Sequence, residues 1–310
     1  MSLLNLPTDG IYPVLVAVYP LFIFSKKNLT KDQLRNLCAP PAACHQGHIT
    51  GTLNTWISLG LFEARPDGTI SIHPDILGSE RKPENLRRVA RRLALDPKNN
   101  PDLWATEGAR AGDFTSALAW FLAQDAWSTA IKGYKEADSI LIHQLPSEEI
   151  RFQNSTRWNG FNQWSAFLGF SLPPQVSKGV TPDPTEAISD ALPAVFGKQK
   201  TLQARDFIRQ LGEILPVLDG GDYRRQVESV LLSQEGQNSW KALPEGHLST
   251  SLSRALIRLH EDGILIHSLK ADSIHRVKLT GRGGNQIRED ISEFSLQREI
   301  VNSAPPHAPH

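Results

Sequence analysis

Two stretches of the chain, about 200 residues apart, share one pattern of apolar and polar positions. The first is GHITGTLNTWISLGLFEARPDGTISIHP (Gly47–Pro74), and the second is GHLSTSLSRALIRLHEDGILIHSLKADSIHRVKL (Gly246–Leu279). Each continues from Gly-His into apolar residues at three- and four-residue spacing, and each ends in two short apolar runs around a polar turn. This repetition predicts one type of supersecondary unit near each end of the chain.

The first stretch follows the helical pattern LTKDQLRNLC, for which Thr30 is the expected N-cap. Its own helix carries apolar residues on one face: Leu53, Trp56, Ile57 and Leu59. Gly60 occupies the position of a helix C-cap, and a hairpin around Asp67-Gly68 follows. Three helices followed by a hairpin predict a winged helix, a variant of the helix-turn-helix.

The second stretch follows an amphipathic pattern, YRRQVESVLLSQ, and predicts a second winged helix. The next helix has one apolar face, consisting of Leu252, Ala255, Leu256 and Leu259, and is expected to end at Gly263. The runs ILIHSL and IHRVKL then predict a hairpin wing around the turn KADS. Its expected inward residues are Ile264, Ile266, Val277 and Leu279.

Helical spacing dominates the middle of the chain, in the stretches 81–95, 113–127, 154–170, 183–196 and 201–215. The expected fold class is therefore mainly α with small β wings, in which two winged helices flank a helical middle region. The expected units are an N-terminal winged helix (1–80), a helical middle domain (81–218), a C-terminal winged helix (219–292) and a tail (293–310) whose Pro-rich end is disordered.

The most apolar segment, IYPVLVAVYPLFIF (Ile11–Phe24), is too short to span a bilayer and contains Pro13 and Pro20. It predicts a buried core helix that bends or ends near Pro20. No membrane partner is expected, and the segment lacks the flanks of a signal peptide. The two cysteines, Cys38 and Cys44, are typical of a reducing cytoplasmic location.

Net charge does not indicate a nucleic-acid ligand, because 33 basic residues balance 33 acidic ones. Any DNA contact must come from a local basic surface. The third helix of a winged helix enters the major groove. The first copy offers only uncharged residues and a histidine there: His48, Thr50, Thr52, Asn54 and Thr55.

The second copy has more residues suited to binding double-stranded DNA, since arginine can form two hydrogen bonds with guanine and cations on the wing can bind phosphates. Its candidate DNA-binding residues on the helix are Ser249, Thr250, Ser253, Arg254 and Arg258. Those on the wing are Lys270, His275, Arg276 and Lys278. Winged helices also serve as protein-docking modules, and this alternative stays open for both copies.

The densest run of cations is RKPENLRRVARRLAL (Arg81–Leu95), where an apolar stripe is expected to be buried. Four arginines lie on the opposite side of that helix and could follow a phosphate backbone: Arg87, Arg88, Arg91 and Arg92. The alternative is a solvated face paired with nearby acids such as Glu80 and Glu84.

No catalytic motif and no cofactor site emerge from the sequence. The chain lacks a phosphate-binding Gly-Lys-Ser/Thr loop, His-Glu-x-x-His and Gly-x-Ser-x-Gly. The cluster of Cys38, Cys44, His45 and His48 lacks the loop that separates zinc-ligand pairs, so no metal site is expected. The aromatic segment TRWNGFNQWSAF has the spacing of core residues rather than of a base-stacking surface.

Four segments carry a resemblance to a known family: MSLLNLPTDGIYPVLVAVYPLF, LTKDQLRNLCAPP, TLNTWISLGLFE and TRWNGFNQWSAFLGF. Over roughly residues 1–170 the chain resembles the prokaryotic DpdG family, departing from it at Pro20. Genes of this family lie beside genes for 7-deazaguanine DNA modification and associated phage defence. The resemblance implies an accessory subunit that works with helicase- or nuclease-like protein partners, and it supplies no catalytic residues.

These observations predict a non-enzymatic DNA-binding or scaffolding subunit of an antiviral defence or DNA-modification complex. One alternative is a dimeric winged-helix transcriptional regulator, which would protect a palindromic site. Another is a metal-dependent nuclease hidden in the helical middle, although no set of carboxylates identifies one.

Overall fold

A computed structural model describes residues 3–4, 12–25, 28–38, 46–104, 110–128, 130–145, 152, 154–172, 179–233, 240–273 and 275–297. Within these ranges the protein is mainly α-helical with small antiparallel sheets, which confirms the expected class. Buried apolar residues form one connected core that runs from Leu3 to Phe294. The Pro-rich end of the tail lies outside the described residues.

The N-terminal unit alternates helices and strands as α1 (Tyr12–Phe24), β1 (Leu29–Thr30), α2 (Lys31–Cys38), α3 (Gln46–Ser58), β2 (Phe62–Ala64) and β3 (Thr69–Ile72). Its three strands pair antiparallel in the order β1-β3-β2. The hairpin predicted at Asp67-Gly68 is confirmed, because Phe62 pairs with Ile72 around that turn.

The apolar helix α1 is a core helix, as expected, with Leu15, Val18, Tyr19 and Phe22 buried. It does not end at Pro20, which lies inside it. Proline at this position removes one backbone donor. The helix nevertheless continues to Phe24, because its buried side chains hold both halves against the same core.

Helices form the middle of the chain: α4 (Leu86–Leu95), α5 (Gly112–Leu122), α6 (Tyr134–Gln144), α7 (Ser155–Phe167) and α8 (Thr185–Phe196). A short ladder, β4 (Ser171–Leu172) with β5 (Thr181–Pro182), precedes α8. Helix α6 was not predicted. The core role of TRWNGFNQWSAF is confirmed by α7, where Trp158, Phe161 and Trp164 are buried.

The C-terminal part contains β6 (Thr201–Gln203), α9 (Ala204–Ile214), α10 (Asp222–Ser233), α11 (Thr250–Glu261), β7 (Leu265–Ser268), β8 (Val277–Thr280), β9 (Gln286–Ile291) and β10 (Glu293–Leu296). The predicted hairpin between β7 and β8 is wrong. Strand β7 pairs with β10, which also pairs with β6, and β8 pairs with β9.

The pairing differs because a further extended segment, which lies after the repeated stretch, pairs with both strands. The chain from Gln286 to Leu296 is extended on both sides of Ser292, and it offers its first half to β8 and its second half to β7. The predicted inward residues of β7 are also wrong: Leu265 is fully buried, whereas Ile264 and Ile266 are only half-buried.

The two repeats do end their third helices in the same way, as predicted from Gly60 and Gly263. Both glycines have a positive φ, +87° and +65°. After each glycine, the next amide returns to a carbonyl five residues earlier, Leu61 to Trp56 and Ile264 to Leu259, at 2.9 Å in both cases. This is a Schellman-type C-cap, which favours glycine because its left-handed residue has no Cβ to clash.

A close backbone approach fixes α9 against the turn that precedes α10. A Cβ added at Gly212 would lie 2.8 Å from the carbonyl carbon of Gly220 and the amide nitrogen of Gly221. The neighbouring Asp219 accepts hydrogen bonds from the first residue of the α11 cap, Ser249. The absent side chain at Gly212 therefore helps to place α11.

We expect Gly212→Ala to destabilise the protein by about 1–3 kcal/mol, because two backbones must separate to admit the methyl group. The matched control is Gly47→Ala in α3, where no atom lies within 4 Å of the added Cβ. Urea unfolding of both variants measures the difference. An unchanged free energy of unfolding for Gly212→Ala would contradict this account of the contact.

Candidate nucleic-acid interface

The hydroxyl residues at the start of α11, predicted to read DNA bases, lie inside the protein. Ser249 is the N-cap of α11, and its Oγ accepts a hydrogen bond from the amide of Leu252. The same hydroxyl donates to Asp219 Oδ1 at 2.6 Å. Ser253 is fully buried, and its Oγ accepts from the amide of Thr280 in β8 at 2.9 Å.

Two further hydroxyls of α11 bind the end of α5. The Ser251 Oγ donates to the carbonyl of Leu122 at 2.7 Å, and the Thr250 Oγ1 accepts from the amide of Ala126 at 2.9 Å. Carbonyls in the last turn of a helix have no intrahelical donor, so they need partners of this kind. The Ser/Thr cluster thus joins α11 to the helical middle, and Ser249, Thr250 and Ser253 do not form an exposed surface.

The two arginines of α11 also have partners within the chain. Arg258 pairs with Asp183, and Arg254 Nε lies 3.9 Å from the same carboxylate. The Arg254 guanidinium further donates to the carbonyl of Ala126 and lies 5.6 Å from the ring centroid of Trp127. Asp183 is buried, so this arrangement ties α11 to the start of α8.

Half of the arginine face predicted on α4 is directed at α8. Arg91 is only 4% exposed, which contradicts the prediction that it faces away from the core. Its guanidinium donates to the carbonyls of Leu168 (2.7 Å) and Ala187 (3.2 Å) and to Asp190 Oδ2 (2.8 Å). Burial lowers the pKa of Arg91, whereas Asp190 opposes that shift by favouring the charged form.

The half-buried Arg87 extends this network towards the surface, since it binds Asp190 through two nitrogens and the exposed Glu186 at 3.1 Å. Arg88 and Arg92 do point outward, as predicted. Arg88 donates to the side chain of Asn85, and Arg92 pairs with Glu80 at 3.0 Å. The pairing with Glu80 agrees with the alternative of a solvated face neutralised by local acids.

The predicted wing cations differ in exposure, and the exposed Lys270 pairs with Glu293 at 2.7 Å. His275 is exposed, and Lys278 is half-buried in β8. Arg276 donates to the carbonyls of Ser273 and Ala271, both at 2.7 Å, which holds its guanidinium in place.

Arg282, an exposed residue in the turn between β8 and β9, was not among the predicted DNA-binding residues. Arg282 lies in the Gly-rich segment GRGGN, but this segment can be identified as a turn between two strands only when the second strand, β9, is known. Among the residues that the structure describes, neither Lys278 nor Arg282 forms an ion pair. We call His275, Arg276, Lys278 and Arg282 the β8–β9 surface.

The N-terminal copy presents little of its third helix to solvent. Thr52 and Thr55 are buried in α3, and the Asn54 side chain accepts a hydrogen bond from Lys31 Nζ at 2.9 Å. Thr50 and His48 are half-buried. Cys44 and His45 lie outside the described residues, and within the described ranges no three metal-ligating side chains cluster.

We expect Arg91→Ala to lower the free energy of unfolding by about 3 kcal/mol, because it leaves two carbonyls and part of a carboxylate without their buried donor. Arg88→Ala, one turn away on the exposed side, should stay within about 0.5 kcal/mol of wild type. Chemical denaturation of both variants checks this. Equal losses would mean that Arg91 is not the structural member of the run.

Among the described helices, none has the length and apolar character that crossing a bilayer requires. A search of curated proteins and a search of solved structures each found no match. A protein-family model described as DpdG-like matches residues 1–273, from the first helix through the loop before β8. This match is longer than the expected resemblance, and it includes the whole first repeated stretch and residues 246–273 of the second. The chain therefore belongs to the DpdG-like family.

Proposed function

We propose that the protein is a non-enzymatic DNA-binding and scaffolding subunit of a complex for DNA modification or antiviral defence. Membership of the DpdG-like family supports the association with such gene clusters. The observation that carries the DNA contact is the β8–β9 surface, where Arg282 is exposed in the turn and Arg276 and Lys278 are half-buried beside it. Exposed cations of this kind bind phosphates, which supply most of the affinity in non-specific DNA binding.

The proposed contact uses the hairpin rather than the third helix. In both repeats the third helix packs into the protein, and in α11 its hydroxyls are occupied by α5 and Asp219. A β-ribbon can bind the duplex by itself, through phosphates or in a groove. The register of the β8–β9 ladder shifts between Val277 and Leu279, and an irregularity of this kind increases the local twist of a hairpin.

The N-terminal unit has the element order and the strand order β1-β3-β2 of a winged helix, and we assign it to partner docking. Large apolar side chains are exposed there: Phe24 at 73% and Leu37 at 62%. Contiguous exposed apolar surface marks protein contacts, and we propose that these two side chains, at the ends of α1 and α2, contribute to one such patch. The partner would be a helicase- or nuclease-like protein encoded beside this chain.

A salt series on a labelled duplex tests the DNA contact. We expect Lys278→Ala/Arg282→Ala to weaken binding at least about fivefold and to reduce the salt slope by about one per lost phosphate contact. Arg209→Ala, an exposed arginine of α9 that pairs with Asp206 and Glu213, is the matched control and should bind like wild type.

Three results would overturn this proposal. If the wild-type protein does not bind the duplex at low salt, it makes no direct DNA contact. Protection of a palindromic site by a dimer would identify a transcriptional regulator. Metal-dependent loss of the labelled duplex, abolished by changing a few carboxylates, would identify a nuclease.

Partner docking is tested by co-expressing the chain with the proteins encoded beside it. We expect Phe24→Ser/Leu37→Ser to abolish the complex on size-exclusion chromatography while leaving duplex affinity unchanged, because burial of the two side chains drives association. Ile142→Ser, a change at an exposed apolar residue of α6, is the control. Retention of the complex by the double variant would exclude this surface as the docking site.

A further inference from the structure

An open groove lies beside the β8–β9 surface, between α9 and the segment that leads into α11. Its volume is about 330 Å³, and its polar lining consists of Arg205, Glu245, His247 and Arg276. Ile208 and Val277 contribute apolar surface to the same groove. Cations, an aromatic ring and an apolar wall in one concavity are the parts from which single-nucleotide sites are built.

Two of the four polar groups, Arg276 and His247, have supporting contacts within the protein. The Arg276 guanidinium is oriented by two backbone carbonyls, and its Nη1 lies 4.0 Å from Asp290, which does not line the groove. The His247 ring lies 3.3 Å from Thr280 Oγ1 through Nδ1. Its backbone is bridged to Lys278, so the imidazole is attached to the sheet rather than to a loose loop. Such preorganisation lowers the entropy lost on binding.

Arg205 stands on the opposite wall, in the first turn of α9, and its side chain is exposed. No ion pair of Arg205 occurs among the described residues, in contrast to Arg209 one turn later. Two guanidinium groups and one carboxylate, that of Glu245, line the groove, and a second carboxylate outside the lining, that of Asp290, lies 4.0 Å from Arg276 Nη1. With at most one excess positive charge, the groove suits one phosphodiester better than the several charges of a nucleoside triphosphate.

We propose that this groove binds one nucleotide of a single-stranded nucleic acid, with the phosphate between Arg205 and Arg276 and the base stacked on His247. Histidine is among the side chains that stack on unpaired bases. A base held in a duplex is stacked on its neighbours and cannot enter such a groove without leaving the helix. The inference rests on the proposed function to the extent that Arg276 belongs to both surfaces.

Fluorescence anisotropy with a labelled oligothymidylate of about 12 nucleotides, and with its duplex, tests the proposal. We expect Arg205→Ala and His247→Ala each to weaken strand binding at least about fivefold and to change duplex binding by less than about twofold. The controls are Arg209→Ala on the same helix and His143→Ala, an exposed histidine of α6. Circular dichroism melting establishes that every variant is folded.

The two proposals fail in different arms of this experiment. If the wild-type protein does not bind the duplex, the proposed function is overturned. If it still binds the single strand, the proposal for the groove is retained. Unchanged strand affinity in both groove variants, or equal losses for strand and duplex, overturns the groove. Thymidine monophosphate as a competitor identifies the source of the nucleotide: tighter binding of the monophosphate than of the strand overturns the strand assignment in favour of a free nucleotide.

Discussion

The hydrogen bonds between the hydroxyls of α11 and the end of α5 are the contacts on which the rest of the C-terminal part depends. Helix α5 ends inside the protein, so its last carbonyls need donors that its own backbone lacks. Ser251 donates to the carbonyl of Leu122 at this end, Thr250 accepts from the amide of Ala126 in the segment just after it, and Ser249 donates to Asp219. Once α11 is held in this way, its first turn cannot also lie in a DNA groove.

Ion pairs within the chain constrain the arginines in the same way. The chain has arginine-rich stretches, but two carboxylates of the α8 region hold several of those arginines. Asp190 binds Arg87 and Arg91, and Asp183 binds Arg258. For the buried Arg91, loss of Asp190 would leave a charge in the interior without its partner, which is costly.

The N-terminal unit was the most predictable part. Its elements are short and consecutive, so local signals such as the turn at Asp67-Gly68 and the cap at Gly60 determine its topology. The C-terminal sheets were not predictable in the same way. A hairpin between β7 and β8 satisfies the local pattern equally well, and only the competing strand from Gln286 to Leu296 decides the pairing.

The sequence by itself determined the helical class, the repeated third helix with its glycine cap and the core role of the aromatic segment on α7. These follow from periodicity and backbone conformation, which are local properties. Only the tertiary structure decided which hydroxyls and arginines face solvent. Ser251 and Arg91 satisfy carbonyls that lie 129 and 77 residues away in sequence, and no local pattern reports a partner at that separation. The proposed interface therefore lies on the hairpin rather than on the third helix, because hydrogen-bonding groups buried in a core already have partners within the protein.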